Sequence, residues 1–437
     1  MRLKIRIDIF GGKLIKSARV VNSFCFFLAV IFVQSTVQAQ LSLQDAVIKA
    51  QKNSPDIRSL ENQFESLDAK KRQAFAPYEP SLTLSYNDLT KEFNHRSATS
   101  RVLQVNQQLG FPGRAYLNYS LLDDQAQVFY IQSKAMTLQV ALNVKQAYYA
   151  LALAQKNIQL NQEQRASYER ILAIAKRRYE AGALTQVDYL NTQVALLSAD
   201  NDLSDFQSAE KVARTQLNVL LGNPVEAQLQ VEPVKMYYYS EISKEEAIQK
   251  MLDHRAEISA AKKQVSASER SYKLAWMSLL PDFQLFAGTT YYDVPGASPL
   301  SGTTGEDHTF LIGVQVTVPI WAIFNERQAI VGASHDRAAA QANLDVVFNQ
   351  SKIALETALE NLTSLRHKIE NYEKHLIPLV DQSFNLALTN YSTGKTDFQT
   401  LSDTANTRRN LKRDYASAVM NYLTNYSTYS QLVGEDY

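Results

Sequence analysis

The sequence predicts an α+β chain in which long antiparallel helices are interrupted by four short strands, with the whole order occurring twice. Three observations lead to this fold class. Only 14 Gly and 11 Pro occur in 437 residues, so turns are few and the elements are long. Four segments alternate apolar and polar residues, which is typical of half-buried strands. The order of helices, strands and a central Gly turn recurs in each half, which indicates an internal duplication.

Residues 1–39 have the layout of a secretory signal. Residues 1–22 are basic, an apolar run extends from Phe24 to Val33, and Val37-Gln38-Ala39 places small residues at the cleavage positions. A retained membrane anchor is the alternative, but an apolar run of about ten residues is too short to span a bilayer. We therefore expect residues 1–39 to be a signal peptide and Cys25 to carry no lipid.

The charge and cysteine content of the remaining chain excludes several classes of protein. The full sequence has 45 Lys+Arg and 44 Asp+Glu; removing the six basic residues and one acid of residues 1–39 leaves 39 and 43. Cys25 is the one cysteine, so the rest of the chain has no disulfide framework, zinc-cysteine site or cysteine nucleophile. The near-neutral charge argues against a nucleic acid partner.

The first repeat is predicted at residues 40–222. A helix from Leu43 to about Phe75 ends before Pro77 and Pro80, because a proline ring cannot continue the helical hydrogen-bond ladder. Alternating strands follow near residues 81–90 and 101–110. The sequence is helical again from about residue 114 to 221, with one interruption at Gly182.

The two helical arms around Gly182 are long and carry apolar seams. After the glycine, Val187, Leu190, Val194 and Leu197 are spaced 3, 4 and 3, as in a coiled coil. At about 1.5 Å per residue, arms of roughly 40 to 65 residues would measure roughly 60–100 Å. Few globular domains contain such helices, so the sequence predicts a rod or a tube.

The second repeat is predicted at residues 243–437, after an equatorial linker at 223–242. It has a helix from Ser243 to Met277, strands near residues 282–292 and 309–318, and a helical arm that turns at Gly394. The turns share a signature. Tyr179-Glu-Ala-Gly182 precedes Asp188 and Leu190, whereas Tyr391-Ser-Thr-Gly394 precedes Leu401, one residue closer, which suggests a one-residue deletion.

The four strands are each long enough to cross a bilayer when tilted, and one face of each is apolar. Aromatic residues mark the four junctions with the helices, as expected at a membrane interface: Phe75, Phe111, Trp276 and Trp321. A soluble four-stranded sheet is the alternative. If the strands span a membrane their edges must be closed, and four strands cannot close a barrel. Two copies would supply eight strands and three would supply twelve; only the larger number leaves a pore, so we predict a trimer.

This architecture resembles the TolC-type outer-membrane efflux factors over residues 41–432. The resemblance is carried by the duplicated order, the two Tyr-x-x-Gly turns, the Leu220-Leu221-Gly222 stop and the prolines beside the strands. The segment Gln108 to Arg114 is similar to the heavy-metal and cation efflux branch. The resemblance implies a homotrimer with a 12-stranded transmembrane β-barrel in the outer membrane and an α-barrel of coiled coils across the periplasm.

The resemblance also implies partners and site residues. A periplasmic membrane-fusion adaptor would dock on the tip turns at Gly182 and Gly394, an inner-membrane pump would supply energy, and the tip would open like an iris. Asp188 and Tyr391 match a pair that bonds neighbouring coils and holds the tip shut. Family members often carry two constriction aspartates after the second glycine. Here Gln399 and Ser402 take those positions, with Asp397 and Asp403 only near them, so an acidic, an amide or a hydroxyl constriction stays open.

Two other classes of function fit the sequence less well. The six histidines are scattered, and no phosphate loop or nucleophile elbow occurs, so we expect no enzyme activity, no cofactor and no metal site. A periplasmic structural coiled-coil protein without a pore would have neither strand alternation nor aromatic junctions. Within the duct interpretation, the cargo stays open between drugs, metal ions and a secreted polypeptide.

Overall fold

The computed structural model describes residues 40–87, 98, 100–234, 243–292, 308–322 and 324–435. The predicted signal peptide, most of the two long strand connections and the second part of the predicted linker, residues 235–242, lie outside the described residues. His95, one of the six scattered histidines, also lies outside them.

The first half contains four helices and two strands in the predicted order. They are α1 (Leu43–Asn53), α2 (Pro55–Gln73), β1 (Ser81–Asn87), β2 (Ser100–Leu109), α3 (Arg114–Glu180) and α4 (Gln186–Leu221). With 67 residues, α3 is about 100 Å long at about 1.5 Å per residue.

The second half repeats this order with one addition. Its elements are α5 (Lys244–His254), α6 (Ala256–Met277), β3 (Asp282–Tyr292), β4 (His308–Thr317), α7 (Glu326–Asn371), α8 (Ile377–Ser392) and α9 (Phe398–Leu432). A π-helical turn, Tyr372–Leu376, separates α7 from α8. This turn was not predictable from the sequence, because its residues are ordinary helix formers.

The helices predicted at 43–75 and 243–277 are each interrupted once, so the prediction that they are continuous is wrong. Both break after 11 residues, at Ser54 in the first half and Arg255 in the second. Ser54 adopts an extended conformation, and its hydroxyl accepts a hydrogen bond from the Ile57 amide, so it caps a new helix that begins with Pro55. The shared break supports the duplication more strongly than the sequence motifs did.

The same junction occurs twice beside these breaks. Gly222 ends α4 and Gly434 follows α9, with φ of 69° and 75°. Asn53 at the end of α1 donates a hydrogen bond to the Leu221 carbonyl at 3.0 Å. In the second half, a Cβ at Gly434 would lie 2.8 Å from the His254 Cβ at the end of α5, so only glycine fits without displacement. Each junction therefore fixes the long return helix against the preceding broken helix.

The helices lie side by side in four columns. The first column is α1 and α2 with α4, the second is α3, the third is α5 and α6 with α9, and the fourth is α7 with α8. Near the sheet the packing order is α2, α3, α6, α7; near the Gly turns it is α4, α3, α9, α8. The chain consequently has two lateral edges, one formed by β1, α2 and α4 and the other by β4, α7 and α8.

The four strands form one antiparallel sheet in the order β1-β2-β3-β4. Its register aligns Leu82 with Val105, Val105 with Ala287, and Ala287 with Ile312, so the apolar positions of all four strands share one face. This confirms the alternation predicted from the sequence. The apolar face is uncovered within the chain; the side chains of Phe310 and Ile312 are 82% and 86% exposed. None of the described helices contains an apolar stretch long enough to cross a membrane.

The coiled-coil seam that the sequence predicts on α4 has no partner within the described chain. Val187, Leu190, Val194 and Leu197 do not pack within the chain and are between 47% and 65% exposed. The residues of α4 that are buried next to them are Thr192 and Ala199. These side chains are small, and a search for large apolar residues does not find such a face.

The two glycines of the sheet should respond differently when a neighbouring side chain is made smaller. A Cβ at Gly313 would lie 2.5 Å from the Phe286 ring, whereas one at Gly288 would lie 2.8 Å from the Leu103 carbonyl oxygen. We expect both Gly→Ala variants to lower the melting temperature of the purified protein. Adding Phe286→Leu should restore Gly313→Ala, because the ring is the obstacle, and should not restore Gly288→Ala, where the obstacle is backbone. Equal rescue of both variants would contradict this packing.

Candidate functional site

The two Gly turns, predicted as the tip, have the same backbone geometry. Gly182 and Gly394 have φ of 68° and 81°, the left-handed region that glycine adopts without strain. At the first turn the Gly182 amide bonds the Tyr179 carbonyl at 2.9 Å, and at the second the Gly394 amide bonds the Tyr391 carbonyl at 3.1 Å. A further bond from the next residue reaches back five positions in each case, which is a Schellman motif.

The helices after the turns begin at equivalent positions, so the predicted one-residue deletion is wrong. Thr185 caps α4 and Asp397 caps α9, each three residues after its glycine. Leu401 therefore occupies the position of Tyr189, not that of Leu190. Both side chains pack in the same apolar cluster, whereas Leu190 is exposed. The sequence comparison matched two leucines that point to different sides of their helices.

Arg178 joins the two turns, and the sequence analysis missed it. Its guanidinium donates hydrogen bonds to the Tyr391 carbonyl at 2.7 Å and to the Ala183 carbonyl at 3.2 Å. It also lies over the Tyr391 ring, 5.1 Å from the centroid. A basic residue in the last turn of a helix commonly binds free carbonyl groups, and that signal was present immediately before Tyr179.

An apolar cluster packs α3, α4, α8 and α9 together beside the turns. Its largest fully buried member is Tyr391, and its other buried members are Tyr168, Ile171, Ala175, Ala199, Phe384, Ala387, Phe398, Leu401 and Ala405. The cluster takes residues from both halves of the chain. The two turns are thus held as one unit by packing as well as by Arg178.

Asp188 and Tyr391 lie in this unit but are not bonded to each other. The Asp188 carboxylate accepts a hydrogen bond from the Thr185 hydroxyl at 2.8 Å, which makes it part of the α4 cap. The Tyr391 hydroxyl is buried, makes no hydrogen bond of normal geometry and lies near Thr192. Burial raises the pKa of that hydroxyl. Thr192 in turn donates to the Asp188 carbonyl at 2.9 Å, so Thr192 connects the pair indirectly.

The acids after the second glycine have different environments. The Asp397 carboxylate caps α9 by accepting from the Thr400 amide at 2.9 Å, and hydrogen bonding to Thr400 lowers the pKa of Asp397. Asp403 is exposed and accepts from the Gln399 amide at 2.9 Å. Ser402 is buried beside Tyr168, 3.4 Å from its hydroxyl, so its hydroxyl is not presented to solvent within the chain.

Ion pairs cross between the helices on the side of the cluster away from the turns. Arg165 of α3 binds Asp200 of α4 at 2.5 Å, and Arg409 of α9 binds Asp202 of α4 at 2.7 Å. Asp381 of α8 accepts from two cations of α9, Arg408 and Lys412. Each return helix is thereby linked to its partner, and α4 is also linked to the other half.

The predicted interface aromatics lie at the other end of the helices, where the sheet begins. Phe111 stacks with Phe283 at the start of β3, with centroids 6.5 Å apart. Phe75, Trp276 and Trp321 are at least half exposed. They are close to other aromatic rings, Phe75 to Tyr119, Trp276 to Tyr272 and Trp321 to Phe324. The structure thus places these four residues in one region, distant in sequence from the Gly turns.

Arg114 at the start of α3 connects this region to the sheet. It donates to the Asp282 carboxylate at 2.7 Å and to the Met277 carbonyl at 2.9 Å. The last residue of the segment that resembled the cation efflux branch therefore has a structural role, joining the halves at the base of the sheet. Among the described residues, no group of His, Cys, Asp and Glu is arranged to hold a metal ion.

The chain matches a model of the outer membrane efflux protein family in two segments, residues 46–223 and 247–435. Among curated proteins, outer membrane efflux protein BepC of Brucella suis is 24% identical over 352 residues, 76% of this chain and 73% of BepC. Outer membrane protein TolC of Vibrio cholerae is 23% identical over 347 residues, 77% of this chain and 78% of TolC.

Solved structures have the same fold. The channel protein CusC has a TM-score of 0.75 and 16% identity, with 91% of this chain and 93% of CusC covered. VceC, an outer membrane protein of Vibrio cholerae, has a TM-score of 0.75 and 16% identity, with 90% and 96% covered. At this identity the likeness concerns the fold alone.

The Arg178 contacts predict a specific loss of order at the turns. Arg178→Ala removes two hydrogen bonds from a charged donor, a part-buried one to the Tyr391 carbonyl and an exposed one to the Ala183 carbonyl. The part-buried bond contributes at most about 1.5–3 kcal/mol and the exposed one less. We expect amide hydrogen exchange of peptides covering residues 178–190 and 391–400 to accelerate by about tenfold or more. The matched control is Arg177→Ala, because Arg177 is exposed and adjacent. Equal acceleration in both variants would contradict the role assigned to Arg178.

Proposed function

The chain belongs to the outer membrane efflux protein family, that of the TolC-type efflux factors, and from this premise we propose that it is the passive exit duct of a tripartite efflux or type I secretion system. It is a transport channel of the bacterial outer membrane that extends into the periplasm, not an enzyme. In this proposal residues 1–39 are removed on export, and residues 40–222 and 243–437 are the two repeats.

The proposed duct is a homotrimer whose sheets close into a 12-stranded barrel. The observation that carries this proposal is the sheet itself, with one uncovered apolar face and its β1 and β4 edges unpaired within the described chain. Unpaired backbone groups cannot face lipid, and three copies are the smallest number whose barrel leaves a pore. The alternative, a structural coiled coil without a pore, predicts no such sheet. Phe75, Phe111, Trp276 and Trp321 would lie at the membrane interface.

The Gly turns form the proposed periplasmic tip, where an adaptor docks and the duct closes. Gly182 and Gly394 lie in equivalent turns that Arg178 holds together. In the closed state Asp188 and Tyr391 couple α4 to α8 through Thr192, and the iris-like opening loosens this contact. In this proposal the adaptor and an inner-membrane pump supply the force.

The constriction we propose is a mixed acid and amide surface formed by Asp403 and Gln399. These side chains are exposed, lie one helical turn apart and bind each other. Asp397 is occupied as a helix cap, and Ser402 is buried. We expect Asp403→Asn to lower the cation selectivity of the channel, measured as the reversal potential in a salt gradient. An unchanged potential would remove Asp403 from the lumen.

The gate residues predict changes in conductance. Asp188→Ala and Tyr391→Phe should each raise single-channel conductance in planar bilayers, because the first removes the carboxylate that accepts from Thr185 in the α4 cap and the second removes the buried hydroxyl beside Thr192. Asp205→Ala is the control, since Asp205 is an exposed acid farther along α4. Wild-type conductance in both test variants would remove these residues from the gate and leave the Arg178 contacts as the closure.

The cargo is identified by the pump, so the decisive experiment is affinity isolation of the crosslinked protein with its adaptor and pump. Relatives carry names from both kinds of system: BepC is an efflux protein, and AprF of Pseudomonas aeruginosa is an alkaline protease secretion protein. Recovery of an adaptor and pump with the outer-membrane oligomer would support the proposal. Recovery of a soluble periplasmic monomer without partners would contradict it.

A further inference from the structure

Polar side chains lie between α3 and α9, the two helices at the centre of the packing order near the Gly turns. The Tyr168 hydroxyl lies 3.4 Å from the Ser402 hydroxyl and donates to the Asn406 side chain at 3.2 Å. The Gln164 amide also donates to Asn406, at 3.2 Å. Gln164 is four residues before Tyr168 and Asn406 is four residues after Ser402, so the two helices are antiparallel here.

The same register places more polar residues opposite each other, farther from the turns. Three residues before Gln164 is Asn161, and three residues after Asn406 is Arg409. Four residues beyond these are Asn157 on α3 and Arg413 on α9. Steps of three and four residues are those of a coiled-coil seam, which is usually apolar. We call these residues the polar seam: Asn157, Asn161, Gln164, Tyr168, Ser402, Asn406, Arg409 and Arg413.

Several atoms of the polar seam are buried without a partner among the described residues. Asn161 is 1% exposed, and neither its side-chain nitrogen nor its oxygen is hydrogen-bonded. The side-chain oxygens of Asn157 and Gln164 are unpaired acceptors, and the Nε atoms of Arg409 and Arg413 are unpaired donors. Buried polar atoms in native proteins are paired with protein groups or with ordered water. The polar seam therefore requires a ligand with hydrogen-bonding groups.

A cavity of about 30 Å³ lies beside the polar seam, between α3, α8 and α9. Gln164 and Arg409 contribute to its lining, and Phe384 of α8 closes one side. A water molecule needs roughly 10–15 Å³ of such space and two to four polar partners. The cavity is therefore large enough for one or two water molecules and too small for an organic ligand.

Water fits these atoms better than a small anion does. The cavity is also lined by Arg408 and Lys412, but both cations already bind the Asp381 carboxylate, and Glu163 adds a negative charge. The unpaired atoms of the polar seam are three donors and three acceptors. An anion only accepts hydrogen bonds and would leave the amide oxygens unpaired, whereas water both donates and accepts.

The polar seam separates two apolar regions of the helical layer. The apolar cluster beside the turns extends to Tyr168 on α3 and Ala405 on α9. The larger apolar cluster of the chain begins at Ala154 on α3 and Leu411 on α9. The two Gly turns and their cluster, which we call the tip unit, are therefore joined to the rest of the chain through a polar level.

The neighbouring helix is irregular at the same level. In the π-helical turn before α8, the Ile377 amide bonds the Tyr372 carbonyl, five residues back. The Tyr372 ring lies 6.4 Å from the ring of Tyr415, which is two residues beyond Arg413 on α9. Single π-helical turns inside α-helices are frequent at functional sites and at sharp bends.

We propose that the polar seam binds a row of ordered water molecules, and that this hydrated level is the hinge on which the tip unit turns when the duct opens. Bridging waters can exchange hydrogen-bond partners as two helices shift, whereas interdigitated apolar side chains resist such a shift. The inference rests on the proposed duct, and it assigns a position in the chain to the bending that opening requires.

Crystallography of the exported chain tests the ligand directly. At a resolution that shows ordered water, we expect density bonded to Asn161, Gln164 and Arg409. A bromide soak should give no anomalous peak in the cavity. Direct pairing of these side chains without density between them would overturn the inference. A bromide peak in the cavity would also overturn it, because the site would then hold an anion.

A reversible link across the polar seam tests the hinge. Cys25 lies in the predicted signal peptide, so introduced cysteines are expected to be the only thiols of the exported protein. In Gln164→Cys/Asn406→Cys, a short bis-methanethiosulfonate linker joins α3 to α9 within one chain, and a reductant removes it. We expect the linked channel in planar bilayers to have an open probability lower by about tenfold, and the reductant to restore it.

The matched control is Gln139→Cys/Gln431→Cys. Gln431 donates to Gln139 at 2.7 Å, so this pair has the same register on the same two helices, within the level of the larger apolar cluster. Its link should leave the open probability unchanged. Equal effects of the two links, no effect of the first, or failure of the first pair to link would each overturn the inference. An unsubstituted protein that forms no channel would instead contradict the proposed function.

Discussion

The open edges of the four-stranded sheet are the constraint on which the rest of the molecule depends. β1 and β4 each leave one side without a strand partner in the described chain, and the apolar face between them is uncovered. Lipid satisfies the apolar face but cannot bond the edge amides and carbonyls. In the proposed duct, closure by further copies meets both requirements. The helices of that duct would continue the same ring, since the lateral edges of the helical layer coincide with those of the sheet.

The two halves of the chain are built from the same kinds of elements in the same order. Each half has an 11-residue helix that ends in a break, a two-strand insertion, a Gly turn and a return helix that ends in a left-handed glycine beside that break. The two halves differ in the caps that follow the Gly turns and in the helix that precedes the second turn. In the first half Asp188 belongs to the α4 cap, whereas in the second half the cap is Asp397 itself and a π-helical turn precedes α8.

The strands and the turns could be predicted from the sequence because local residue patterns determine them. Apolar and polar residues alternate along each strand because the two faces of the sheet have different surroundings. The observed bounds of β2, β3 and β4 agree with the predicted ones to within two residues. The turns follow from glycine. The sequence did not reveal the breaks at Ser54 and Arg255, the burial of α4 on Thr192 and Ala199, or Arg178. These features depend on which face of a helix packs against a neighbouring helix. Helix propensity does not show that face, because helix-forming residues occur on every side.

The central claim is that three copies close one barrel. Native mass spectrometry of the complex extracted from the outer membrane measures the number of chains directly. The proposed duct predicts a mass of three exported chains, retained when detergent is removed in the gas phase. A mass of one chain, or of two, would contradict the claim, because neither four nor eight strands would enclose a pore that the helical layer could continue.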